Sequence, residues 1–157
     1  MKPAPGLAAR LVPLCAALCL PLAAGAVAAV PSSDLPDLSA EKALIYSGDY
    51  AQAAGRLQAL SRDVHHAEVY NLLGYSLRHL RRYGEAAQAY KEALYHDGSY
   101  RPALEYQGEL FIETGDVEAA RKNLRDLRLL CGTAGCAELD QLRKALAAAG
   151  HPPGPDE

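Results

Sequence analysis

Apolar residues recur at spacings of three and four over residues 67–100. Tyr70, Leu73, Leu77 and Leu80 fall on one helical face, and Ala86, Ala89, Tyr90, Ala93 and Leu94 on a second. The pattern predicts two short amphipathic helices joined by a turn at Arg82-Tyr83-Gly84, where glycine disfavours a continuous helix. Lys91 and Glu92 are left for solvent. Gly74, next to Leu73, lacks a side chain where a neighbouring helix can approach. Neither helix can bury its stripe alone, so the pattern calls for neighbouring copies.

Two copies are present. Residues 101–130 place Leu104, Gly108 and Phe111 on a first helix, a turn at Thr114-Gly115-Asp116-Val117, then Ala120, Leu124 and Leu127. Gly74 to Gly108, Ala86 to Ala120 and Tyr90 to Leu124 span one common interval, and three landmarks holding one spacing define an internal repeat. Upstream, Ser47-Gly48-Asp49-Tyr50 reads as the turn of a further unit, followed by Ala53, Leu57 and Leu60. Its first helix, residues 40–46 capped by Ser39, lacks the glycine. A final helix over residues 137–149 puts Leu139, Leu142 and Leu146 on one face, as a terminal element covering an exposed edge should. Gly150 ends it, and residues 150–157 read as a disordered tail.

Period and residue order resemble the tetratricopeptide repeat, whose unit is about 34 residues long. Tyr70, Leu73, Gly74 and Leu77 match the opening of that unit, and Ala86 and Tyr90 its second helix. Gly98 replaces the usual proline, and Gln107 stands where the next copy should have leucine. The resemblance implies an all-α, right-handed superhelix of three helix-turn-helix units plus a capping helix over residues 39–149, the first unit degenerate. It also implies that the first helix of each unit lines a concave groove where partners bind.

Residues 1–29 differ from everything after them. Lys2 and Arg10 precede an apolar run over residues 11–22, and small residues follow through Ala29, the three-part pattern of a secretory signal peptide. Ala26-Val27-Ala28 fits the cleavage rule. Pro13 and Pro21 interrupt the run, which is shorter than the roughly 20 residues of a membrane span. A cleaved, periplasmic or secreted product is expected, with residues 30–38 as a flexible lead-in. Lys2 and Arg10 are the leader's only charges, so 14 basic residues remain against 19 acidic, a net −5. That balance argues against nucleic acid or an anionic membrane as a partner.

After cleavage two cysteines remain, Cys131 and Cys136. An even pair across a two-glycine loop in an exported chain reads as a disulfide that fixes the angle of the capping helix. The competing reading is a redox-active or metal-handling dithiol, for which a two-residue spacing would be more apt. His65-His66 reads as a solvated link, and His79 and His96 as isolated on polar positions. Glu105, Glu109 and Glu113 form an acidic row, read as solvated or partner-facing. No nucleophile, phosphate loop or cofactor motif is present in the sequence.

What the core stripes leave free on the first helices is Lys42 and Tyr46, then Asn71, Tyr75 and Arg78, then Glu105, Glu109 and Ile112. This mixed set suits a protein or peptide segment carrying basic and apolar residues. The expected function is a non-catalytic scaffold or adaptor. A periplasmic thiol-redox or metal-handling accessory acting through Cys131 and Cys136 is the alternative.

Overall fold

Short polar turns cut the helical stretch into hairpins. In the computed structural model, which describes Met1 and residues 34–154, the elements are α1 (Ser39–Tyr46), α2 (Tyr50–Leu60), α3 (Ala67–His79), α4 (Tyr83–His96), α5 (Arg101–Thr114), α6 (Val117–Cys131) and α7 (Ala137–Ala148). One turn of 3-10 helix, Gly132–Ala134, precedes α7. Helices α1–α2, α3–α4 and α5–α6 pair as hairpins, α3 packs back on α2, α5 on α4, and α7 lies across α5 and α6. Residues 2–29 of the leader with its cleavage site, residues 30–33 of the lead-in and residues 155–157 of the tail lie outside the described residues. No helix among the described residues is long and apolar enough to cross a membrane.

The turns follow one plan with one exception. Asp49 accepts a hydrogen bond from the Gln52 N–H and Asp116 one from the Ala119 N–H, each filling a vacancy at a helix start. The residue before each aspartate, Gly48 and Gly115, has a left-handed backbone, with φ of 81° and 84°. In the middle hairpin that place belongs to Arg81, at φ 58°. The turn therefore falls earlier than Arg82-Tyr83-Gly84: Tyr83 opens α4, and Gly84 sits in its first turn, where no side chain is needed. Likewise Ser39 does not cap α1. It is the first helical residue, and its N–H and hydroxyl both donate to the Asp37 carboxylate.

Two apolar clusters result. The first joins Leu38, Ala53, Leu57, Val69, Leu73, Leu77, Ala86, Tyr90 and Leu110. The second joins Leu104, Ala120, Leu124, Leu127, Leu139, Leu142 and Leu146. Leu38 is thus part of the core rather than of a loose lead-in, because α1 is too short to cover that edge by itself. On α3 the buried stripe is Val69, Leu73, Ser76 and Leu77, with Tyr70 and Leu80 half-buried at its border. Gly74 and Gly108 mark close approaches. A Cβ on Gly74 would lie 2.7 Å from the Tyr90 ring, and one on Gly108 2.7 Å from the Leu142 methyl carbons. Past α7 the chain turns at Gly150, and the Pro152 carbonyl accepts a hydrogen bond from Arg121 at 3.5 Å.

Candidate functional site

The helical period puts one face of α1, α3 and α5 side by side, and a recess of about 320 Å³ opens there. Lys42, Ile45 and Tyr46 of α1, Tyr50 at the start of α2, Leu72 and Tyr75 of α3, and Tyr106 of α5 line it. Tyr46 is 87% exposed. Its neighbours are held by aromatic packing. The Tyr75 ring lies 4.9 Å from that of Tyr106, 6.2 Å from Tyr50 and 4.4 Å from His79. His79 stacks flat on Tyr50 at 4.3 Å. Burial, and then the Arg78 charge, hold the His79 imidazole below its usual pKa. The Lys42 ammonium pairs with Glu68 at 2.6 Å, and that hydrogen bond raises its pKa. The rim thus offers phenol rings, aliphatic surface and a cation already paired with a carboxylate.

Beneath the recess lies a polar layer. Arg78, 9% exposed, donates to Glu109 at 2.6 Å and to Glu113 across the α3–α5 boundary. Glu105 is only 2% exposed, and its Oε1 has no hydrogen-bond partner. Burial first, then the Glu109 and Glu138 charges, push its carboxyl up to about 8, so it is largely protonated at neutral pH. Asn71, one repeat period before Glu105, is also buried, and its Oδ1 is unpartnered. Burial, and then Glu105, push the Tyr106 hydroxyl up to about 12.

Of the eight residues expected to line the groove, Lys42, Tyr46 and Tyr75 come together at the recess. Arg78 and Glu109 pair with each other below it. Asn71 and Glu105 are buried, and Ile112 is half-buried against the second apolar cluster. The acidic row is not a solvated stripe, because Arg78 from the adjacent hairpin reaches two of its three carboxylates and α7 helps enclose the third. His79 and His96 are not isolated either: His96 stacks on Tyr70 at 5.2 Å. Tyr50 and Tyr106 escape a sequence reading of the groove. Tyr50 reads as part of a turn, and Tyr106 falls between Glu105 and Gln107, outside the stripe chosen for α5. A shared face for all first helices would have revealed Tyr106, whereas Tyr50 opens α2 and lies on none of them.

Cys131 and Cys136 are joined by a disulfide, Cα atoms 5.6 Å apart, and both side chains pack half-buried against the second cluster. No group of three or more histidine, cysteine, aspartate or glutamate side chains suited to a metal occurs among the described residues.

Stacked helical hairpins with an aromatic recess on their first helices define the class as a helical-repeat solenoid. Residues 42–102 match the tetratricopeptide repeat family. No curated protein matches the sequence. Among solved structures, PcrH in complex with the chaperone binding region of PopB is similar at 22% identity and a TM-score of 0.62, over 69% of this chain and 90% of that one. PcrH with the chaperone binding region of PopD is similar at 21% and 0.63, over 71% and 86%. The fold is all-α, a right-handed superhelix of three hairpins ending in α7.

Proposed function

We propose that this chain is a non-catalytic adaptor that captures a segment of a partner protein on the face formed by α1, α3 and α5. The observation that carries the reading is the tyrosine-lined recess, with Tyr46 almost fully open to solvent beside the mutually packed Tyr50, Tyr75 and Tyr106. Rigid phenol rings give large contact area at small conformational cost, which is how a shallow recess holds an extended or helical segment. PcrH, similar in fold, is seen in complex with the chaperone binding regions of PopB and PopD, and that supports capture of a protein segment by this chain. The leader pattern at residues 1–29 supports export, so the partner is an envelope or secreted protein; intact mass of the native product should show residues 1–28 removed.

The test is affinity capture from the native envelope with the wild-type chain and a Tyr46→Ala, Lys42→Ala double variant. Neither change touches the core, so circular dichroism should be unchanged. Loss of the retained partner is the expected result, and retention equal to wild type refutes the groove assignment.

A further inference from the structure

The groove face holds carboxyl groups that its own cations do not balance. Lys42 and Arg78 are both committed, Lys42 to Glu68 at 2.6 Å and Arg78 to Glu109 and Glu113. Among the described residues no salt bridge reaches Glu105 of α5. None reaches Glu138 either, half-buried in the first turn of α7, the helix that packs on α5. Glu105 is 2% exposed, its Oε1 has no hydrogen-bond donor, and after burial and Glu109 the Glu138 charge bears on it. After burial, Glu105 is in turn the charge that most raises the pKa of Tyr106, a wall of the recess, so the two carboxyls continue the recess toward α7. A carboxyl buried without a cation or a donor costs stability. Asn71, its counterpart on α3, shows that the repeat folds with an uncharged side chain in that place. Packing therefore gives no reason for a second carboxyl beside Glu138.

We infer that Glu105 and Glu138 take a lysine or arginine side chain of the captured segment, which thus joins an apolar or aromatic stretch to a cation on its α7 side. This rests on capture at the recess and adds the chemistry of the occupant. The incoming cation would meet Glu138 first, because that side chain is half open to water, and would supply both carboxyls with the partner that the fold leaves out. Arg78 does not serve, since Glu109 and Glu113 already hold it. Capture releases a proton. In the free chain Glu105 is kept largely protonated by burial and then by the Glu109 and Glu138 charges, and a cation beside it favours the carboxylate. The groups that bear on it are Arg78 of α3, Tyr106 and Glu109 of α5 and Glu138 of α7. Of the two glutamates, Glu138 is the one without a cation. Capture therefore tightens as pH rises toward 8, where less of Glu105 holds a proton to be displaced.

The test is fluorescence polarisation of the full chain with a fluorescein-labelled peptide of leucines and tyrosines interspersed with lysines, beside the same peptide carrying glutamine for lysine. Saturable binding of the lysine peptide is expected, several-fold tighter than that of the glutamine peptide. Glu138→Gln should weaken the lysine peptide about ten-fold, the scale of an interface charge pair, and leave the glutamine peptide as it was. Between pH 6 and 8 wild-type affinity for the lysine peptide should rise by up to about ten-fold per pH unit, and Glu105→Gln should flatten that rise. Failure of the lysine peptide to bind, equal binding of the two peptides, wild-type affinity in Glu138→Gln, or a rise with pH that survives in Glu105→Gln overturns the inference. Tyr46→Ala separates it from capture at the recess. Loss of both peptides in that variant, with no preference for lysine in wild type, keeps the recess and removes the carboxyl pair. A lysine preference that needs Glu138 but is untouched by Tyr46→Ala keeps the carboxyl pair and removes the recess.

Discussion

The hairpins α3–α4 and α5–α6 are copies of one another one repeat period apart, yet they solve the same packing problem with different residues. In α3–α4 the notch at Gly74 is filled from within, by the Tyr90 ring of the same hairpin. In α5–α6 the matching place on α6 is Leu124, and the notch at Gly108 is filled from outside, by Leu142 of α7. Leu73 and Ala89 both belong to the first apolar cluster, while their counterparts Gln107 and Asn123 are hydrogen-bonded at 3.0 Å. Arg78 answers to Ile112, and Arg81 to Gly115. The middle hairpin is therefore largely complete in itself, and the last one depends on α7. That dependence gives the terminal helix a structural reason beyond solubility: an open glycine notch would remain without it.

The largest departure between the copies is Arg78 against Ile112, so copying one onto the other is the severest test. Arg78→Ile removes the cation that Glu109 and Glu113 share. Breaking a fully buried pair this way costs about 3–5 kcal/mol; here both carboxylates keep some access to water, so about 2–3 kcal/mol is expected. Glu109→Gln in the same chain should recover part of it, because the uncompensated charge is then gone. A denaturation midpoint unmoved by Arg78→Ile would show that the ion pairs do not contribute to joining the hairpins.

Next in size is Glu105, which stands where Asn71 stands one unit earlier. Its folded pKa of about 8 lies above the ordinary carboxylate value of 4.5, so between those values the folded chain holds a proton that the unfolded chain has released. Its contribution to stability is complete below about pH 4.5 and is lost as pH rises through 8, at up to about 1.4 kcal/mol per pH unit. Arg78, Glu109 and Glu138 surround the group, and their own titration is shared by a Glu105→Gln chain. The difference between wild type and Glu105→Gln therefore isolates it. By the same linkage, Glu105→Gln should gain about 2 kcal/mol on wild type between pH 6 and 8. A difference independent of pH would mean that Glu105 is ionised throughout.

The glycines come third. Gly74→Ala drives a methyl against three ring atoms of a buried tyrosine, whereas Gly108→Ala meets chiefly the methyl carbons of a leucine, which can turn aside. Overpacking costs about 1–3 kcal/mol, and alanine returns about 1 kcal/mol of helix propensity. Gly74→Ala should therefore be clearly destabilising by thermal melting, and Gly108→Ala close to neutral. Tyr90→Leu, which copies α6, should relieve Gly74→Ala. If the two glycine variants melt alike, the notches are equivalent and the distinction between hairpins is lost.

The frame was legible because it rests on periodicity. Helix number, hairpin order and the apolar face of α7 all follow from spacings of three and four and from one repeat period. The candidate recess was only half legible as a cluster of side chains. Lys42, Tyr46 and Tyr75 can be read off the first helices, but Asn71, Arg78 and Glu105 read as surface because polar residues usually are. Nothing in a single helix tells that α7 packs on α5 beside Glu105, or that Arg78 reaches two carboxylates about one period away. The disulfide followed from the cysteine count and loop glycines. A polar stripe on one helix of a solenoid is an incomplete observation, since the next unit decides whether it faces water.

Gln107 makes the same point on the smallest scale. Read alone, it is a defect in the leucine-glycine signature of the repeat. In the fold Asn123 donates both to its side-chain oxygen and to the Leu104 carbonyl, each at 3.0 Å, so a polar pair stands where the middle hairpin has the apolar Leu73 and Ala89. Changing one member should then hurt more than changing both. Gln107→Leu leaves the Asn123 amide with one acceptor fewer and should cost about 1 kcal/mol, while Gln107→Leu with Asn123→Ala, which recreates the middle hairpin, should return to within about 0.5 kcal/mol of wild type. Strictly additive losses in urea denaturation would show that the two residues do not act as a pair, and Gln107 would then be the defect that the signature alone suggests.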